Sequence, residues 1–109
     1  MPLGSFFKNL FHHAKDPKTV ASALLAAKTT VDQLGALHKW NWLPQFDNEV
    51  NNAVTALNNW QPGQPTTQIT QALNAAITIV NGVEGISQHD KAEIGIFIGV
   101  AESALVFLG

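Results

Sequence analysis

The sequence predicts an all-α protein, a compact antiparallel bundle of about four helices with a short amphipathic helical arm at the N-terminus. Apolar residues recur at spacings of three and four in successive segments of the chain, which is the period of a helix with one buried face. The breaks between these segments are short and rich in proline and glycine, and short connectors favour neighbouring helices packed antiparallel. A length of 109 residues allows one domain and an arm, so we expect an arm over residues 1–15 and a single helical-bundle domain over residues 16–109.

The arm is predicted to be a short helix because one apolar stripe runs along it. The stripe consists of Phe6, Phe7, Leu10, Phe11 and Ala14. Residues 1–5 resemble a cloning remnant in part, and we give them no functional weight.

The second helix is predicted to run from Asp16–Pro17 to about Leu37. Aspartate is a good N-cap, and proline is favoured at the first helical position. Helically spaced apolar residues follow, and Gly35 lies near the predicted end. The stripe consists of Val20, Ala23, Leu24, Ala27, Val31 and Leu34.

Residues 38–44 (HKWNWLP) are predicted to be a connector, because a proline disfavours helix at the residue before it, here Leu43. A third helix with an asparagine-rich polar face follows. Its apolar stripe consists of Phe46, Val50, Ala53, Val54, Leu57 and Trp60.

The clearest break in the chain is Gln61–Pro65, and a fourth helix is predicted from Pro65 or Thr66 to about Asn81–Gly82. Ser87 to Asp90 then resembles a capping box. The last segment, from Ala92 to Leu108, is apolar on almost every side and contains a strand-like alternation. Its length and the capping signal favour a helix.

Composition excludes several classes of function. The chain has no cysteine, and so no disulfide, thiolate nucleophile or iron–sulfur cluster. All six of its basic residues are lysines, and the net charge is −2. Because bidentate arginine contacts are missing, we expect no nucleic-acid partner.

Catalytic motifs are also missing from the sequence. We find no glycine-rich phosphate loop and no nucleophile elbow, and the carboxylates are few and scattered. We expect a protein that is not an enzyme and that has no metal or cofactor. No signal peptide is evident, which makes the cytoplasm the default expectation.

The leading functional hypothesis is a small interaction or scaffold protein that self-associates through its C-terminal helix into a homo-oligomer. A helix that is apolar all round is buried in a large core, in an assembly or in lipid, and a bundle of this size has little room to enclose one. Gly95, Gly99 and Ser103 would permit close helix approach. The residues predicted to mediate self-association are Ile94, Gly95, Phe97, Ile98, Gly99, Ala101, Leu105 and Leu108.

The alternative is a membrane-active protein, holin-like or toxin-like, that uses the arm, the C-terminal segment or both. Residues 1–20 carry a charge of +2 and the rest of the chain −4, as expected for an arm that lies on lipid. As a span, residues 92–109 are at the lower length limit and contain Glu102. In the competing interpretation, the arm folds back onto the bundle through its phenylalanines. The predicted membrane contacts are Phe6, Phe7, Lys8, Leu10 and Phe11.

A third hypothesis is a binder of a small apolar or planar ligand, a sugar included. Trp40, Trp42 and Trp60 lie in or beside asparagine-rich sequence and could form a stacking platform for such a ligand. In the competing interpretation, tryptophans close the end of the bundle with their rings buried. We expect Trp42, which leads into the third helix, to belong to the core.

Overall fold

The structure, a computed structural model, describes residues 3–108, and this part of the chain is all-helical. Its five helices are α1 (Leu3–His12), α2 (Pro17–His38), α3 (Leu43–Asn58), α4 (Thr67–Asn81) and α5 (Gln88–Leu105). The predicted all-α class and compact form are confirmed, and the number of helices in the described residues is five. The Cα radius of gyration is 13.1 Å, close to the value of about 13 Å expected for a compact domain of this length.

Two helices begin where their capping residues predict. The Asp16 side chain accepts a hydrogen bond of 2.8 Å from the backbone N–H of Thr19, and the Thr19 hydroxyl accepts one from the Asp16 N–H. Pro17 is the first residue of α2. At the start of α5, the Ser87 hydroxyl accepts a hydrogen bond of 3.1 Å from the N–H of Asp90. The strand-like alternation in the last segment is therefore part of a helix.

The predicted connector over residues 38–44 is partly wrong, because α3 begins at Leu43. Pro44 is the second residue of α3, where its missing N–H would have had no acceptor inside the helix. α2 ends at His38, and the left-handed backbone conformation of the next residue, Lys39 (φ 56°), turns the chain. The N–H groups of Lys39 and Trp40 both donate to the Gly35 carbonyl.

Contacts between named residues give the directions of two helix pairs. Leu43 packs against Gly35 and Asp47 faces Asp32, so α2 and α3 run in opposite directions. In contrast, α1 and α5 run in the same direction. The first turn of α1 contacts Glu93, and its last turn borders a groove shared with residues 100–107.

The core has a phenylalanine cluster at its centre. Phe97 on α5 is fully buried, and three rings pack around it. Their centroids lie 5.2 Å (Phe7), 6.1 Å (Phe46) and 6.2 Å (Phe11) from that of Phe97. Two of the three belong to α1, so the N-terminal helix is part of the same core as the rest of the bundle.

Candidate functional site

The structure places most of the predicted self-association residues inside the chain itself. α5 contacts α1, α2 and α4, and together these helices cover most of its surface. The predicted interface is therefore wrong for five residues, Ile94, Phe97, Ile98, Ala101 and Leu105, which are almost fully buried. Gly99 is exposed, while Gly95 and Leu108 are half-buried. Self-association through these three residues stays a prediction.

Most of the predicted membrane contacts on the arm pack against the core of the protein. Phe7 and Phe11 are buried against Phe97, and Phe6 and Leu10 are half-buried against the same core. Of the five predicted contacts, Lys8 alone is well exposed. The arm folds back onto the bundle because its phenylalanines bury more apolar surface there than a free helix could. Within residues 3–108, no helix has the length and apolar character needed to cross a bilayer.

Two of the three tryptophans stack at the turn between α2 and α3. The rings of Trp40 and Trp42 lie 5.0 Å apart, and Trp42 also meets the edge of Phe46 at 5.8 Å. Trp42 is 7% exposed, which confirms the packing interpretation for this residue. Trp40 is half-buried and stacks on His38 at 5.3 Å. This pair closes the end of the core and offers no open platform.

The third tryptophan lies apart from that pair, directly after α3. The indole N–H of Trp60 donates a hydrogen bond of 3.0 Å to the Gln64 carbonyl, and the Gln64 side chain accepts one from the Gln61 N–H. These two bonds fix the loop and the indole together. Trp60 is half-buried and contributes to the wall of a cleft between α3 and α4. The predicted three-tryptophan platform is therefore wrong as a unit, because only Trp60 lines this cleft.

The cleft between α3 and α4 has a volume of about 800 Å³, within the range of roughly 300–1,000 Å³ typical of small-molecule sites. Small-molecule sites are usually mostly apolar, whereas this lining is mostly polar. Five carboxamide residues line it, with two threonines, one carboxylate, the indole and a few apolar side chains. The polar members are Asn52, Asn59, Gln64, Gln68, Gln71, Thr55, Thr67 and Glu49.

One polar pair in the cleft is already organised by a hydrogen bond. The Asn52 amide donates to the Glu49 carboxylate at 2.8 Å, one turn apart on α3. This bond orients the Asn52 side chain and leaves its carbonyl oxygen as a free acceptor. Glu49 is the one charged residue of the lining.

A second polar cluster lies between α2 and α3. Asp32 Oδ2 pairs with Lys28 Nζ at 3.3 Å, while Oδ1 of Asp32 and Oδ1 of Asp47 are buried without a hydrogen-bond partner among residues 3–108. Burial, followed by the contact with Asp32 and by its charge, raises the pKa of Asp47 to about 7 against the opposing charge of Lys28. When Asp47 is protonated, its carboxyl O–H can donate a hydrogen bond to the Asp32 carboxylate, which removes the repulsion between two negative charges.

Comparisons of the chain with protein-family models, with curated proteins and with solved structures find no match.

Neither polar site could be predicted from the sequence, and the reason is the same for both. The asparagine-rich face of α3 was visible, but nothing in the sequence showed that α4 would supply facing glutamines. Asp32 and Asp47 border the apolar stripes of two helices. The one sequence signal for this cluster is an aspartate next to the apolar stripe of a helix. The same pattern is common where a solvent-exposed helix face begins, so it does not identify a buried acid.

Proposed function

We propose that the protein is a non-catalytic binding module that holds a neutral, polyhydroxylated ligand, a carbohydrate, in the cleft between α3 and α4. The observation that carries the proposal is the lining of the cleft, in which five carboxamides and two hydroxyls stand beside one indole. Within this proposal, the four longer helices form an antiparallel bundle that acts as the rigid scaffold of the site.

The polar lining supports a ligand rich in hydroxyl groups. A carboxamide carries two donors and an acceptor, and a hydroxyl both donates and accepts, so the two groups match in many relative orientations. Glu49, with its single negative charge, disfavours an anionic ligand. A polar ligand of this kind also replaces the water that the amides bind in the free protein.

Trp60 supplies the apolar contact that such a ligand needs. Because its indole N–H is already bonded to the Gln64 carbonyl, the part of the ring left for a ligand is its apolar surface. Ala56, Ile69 and Ala72 add further apolar surface to the walls. A pyranose ring has hydroxyls at its rim and C–H groups on its faces, which fits a mixed lining of this type.

Two neighbouring amides on α3 provide a matched test. Asn51 and Asn52 are both exposed helical asparagines, but only Asn52 lines the cleft. We expect calorimetric titration to detect binding of at least one of maltotriose, cellotriose, xylotriose and chitotriose. Asn52→Ala should weaken that binding about ten-fold, as expected for the loss of a hydrogen bond to a ligand, and Asn51→Ala should leave it unchanged.

Chemical-shift changes in the amide NMR spectrum locate the bound sugar. They are expected at Trp60, Gln68 and Gln71, and not at the turn between α2 and α3. Absence of heat and of shift changes with all four trisaccharides would refute the proposal. So would equal losses in the Asn51→Ala and Asn52→Ala variants.

A further inference from the structure

The C-terminal end of α5 exposes two adjacent large apolar side chains. Val106 is 77% exposed and Phe107 is 71% exposed, although both follow directly on a helix whose other large apolar residues are buried or half-buried. Leu108, the next residue, packs in part against the core. The exposed pair is therefore held in place on either side by residues that belong to the core.

Two lysines lie beside one member of this apolar pair, Phe107. A groove of about 300 Å³ between α1 and α5 has Phe107 at its border and includes Lys8, His12 and Lys15 but no carboxylate. Neither Lys8 nor Lys15 forms an ion pair within the part of the chain that the structure describes. Two full positive charges are thus free beside an exposed aromatic ring.

The acids nearest in sequence lie outside the lining of this groove. The hydrogen bonds from Thr19 lower the pKa of Asp16 and keep it ionised beside Lys15, but Asp16 does not line the groove. Glu102, one turn before Val106, is half-buried and does not line the groove. The local excess of positive charge contrasts with the net charge of −2 for the whole chain.

We propose that Lys8, Lys15, Val106 and Phe107, the basic–aromatic patch, form a docking surface for an anionic lipid bilayer. The two apolar side chains enter the boundary between headgroups and acyl chains, and the lysines meet the headgroup phosphates, as in interfacial membrane attachment. Each lysine at such a surface strengthens binding by about 1 kcal/mol, or about five-fold.

Charge favours lipid over a second copy of the chain as the partner. In a two-fold symmetric dimer the same patch meets itself. The lysines of one copy would then lie close to the lysines of the other. A surface of phosphate groups supplies the opposite charge to every lysine of the patch, so the charge pattern complements the bilayer and opposes the dimer.

Docking through the patch leaves the α3–α4 cleft open. α1 contacts α5 and α2, whereas the cleft is lined by α3, α4 and the loop between them. The two surfaces therefore belong to different helices, and each proposal can fail without the other.

Vesicle flotation with the whole chain tests the docking surface. We expect the protein to float with vesicles of phosphatidylcholine mixed with phosphatidylglycerol, to float less at high salt, and to stay in the soluble fraction with phosphatidylcholine alone. Phe107→Ser should lower the vesicle partition coefficient about ten-fold, and Lys8→Gln with Lys15→Gln about twenty-fold or more.

Leu37→Ser is the matched control. Leu37 is 80% exposed but lies in the last turn of α2, about 30 Å along that helix from its first residue, Pro17, which follows Lys15 by two positions. This variant should float like the wild type, and circular dichroism should show the same helix content in all variants. The proposal is wrong if the wild type never floats, if Leu37→Ser loses as much binding as Phe107→Ser, or if light scattering shows that the patch makes a dimer instead.

Discussion

The buried carboxylate of Glu93 on α5 accepts a hydrogen bond of 2.7 Å from the backbone N–H of Gly4 in the first turn of α1. The first N–H groups of a helix have no partner within that helix, and a negative charge is favourable beside them. Glu93 is 6% exposed, and its other oxygen pairs with His89. A side chain of α5 therefore stabilises the start of α1, while Phe7 and Phe11 attach the rest of that helix.

Replacing Glu93 by alanine should destabilise the protein. The change leaves the Gly4 N–H without its acceptor and opens a small cavity, at a cost of about 2–3 kcal/mol in the free energy of unfolding. Glu93→Gln retains an acceptor and should cost less. Urea denaturation measures the difference, and the Gly4 amide should exchange its hydrogen faster in the alanine variant.

His89→Ala is the control for this prediction. The His89 side chain is 77% exposed, whereas that of Glu93 is 8% exposed, and a contact that solvent reaches on one side should contribute about 0–1 kcal/mol. If His89→Ala proved as destabilising as Glu93→Ala, the contact with His89 would be the main stabilising one, and the cap on α1 would be secondary.

The Asp32–Asp47 pair predicts a stability that falls as pH rises. Burial, together with the hydrogen bond and charge of Asp32, raises the pKa of Asp47 from 3.8 to about 7. Between these two values the folded state binds more protons than the unfolded state, so the free energy of unfolding decreases from about pH 4 to about pH 7. Allowing for the screening of a partly exposed group, we expect a loss of about 1–2 kcal/mol, measured by urea denaturation at several pH values.

Asp47→Asn isolates this effect, because the amide can donate to Asp32 but does not titrate. The variant should lose most of the fall in stability between about pH 4 and about pH 7. Glu49→Gln, two residues further along α3, should keep the wild-type profile. An unchanged slope in Asp47→Asn would assign the pH dependence to other groups.

Local signals made the fold class and most helix boundaries predictable. Asp16 and Ser87 each cap a backbone N–H three residues further along the chain, and the apolar stripes are recognised from the helical period alone. Pro44 was misjudged because the same residue disfavours helix before it and is accepted in a first turn. The sequence could not decide between these two effects, which depend on how Leu43 packs against Gly35.

Long-range packing made the sites harder to predict. The apolar surface of α5 predicts a partner chain, but in the structure α1 covers part of it through Phe7 and Phe11. The periodicity of α5 alone does not show that α1 packs there. Glu93 and Gly4 are 89 residues apart, and no local pattern links them. The cleft likewise needs α3 and α4 together.

The two stacked tryptophans should differ in their contribution to stability. Trp42 is buried, so Trp42→Ala should lower the free energy of unfolding by about 3–5 kcal/mol. Trp40 is half-buried, so Trp40→Ala should lower it by less. Trp42→Phe should be milder than the alanine change, because it keeps an aromatic ring in the core and removes only part of the indole, including an N–H that is buried without a partner among residues 3–108. Denaturation of each variant measures these costs.

Fluorescence checks the same pair in a Trp60→Phe background, which removes the third tryptophan. Emission should be blue-shifted in the folded protein and move to the red on unfolding. Two neutral alanine substitutions with red emission in the native state would contradict the packing of this pair and restore the platform hypothesis.

Gly99 allows self-association to be tested without damaging the fold. A Cβ at this exposed position would meet no atom within 4 Å, so Gly99→Leu should leave the free energy of unfolding unchanged or raise it by up to about 1 kcal/mol through helix propensity. If copies of the chain pack closely along Gly95 and Gly99, a leucine at position 99 prevents their close approach. Light scattering during size-exclusion chromatography should then show an oligomer for the wild type and a monomer for the variant.

Asn58→Lys, on the exposed face of α3, is the control and should keep the wild-type mass. A wild type that stays monomeric at high concentration would exclude this interface, since α5 would then complete its packing within one chain.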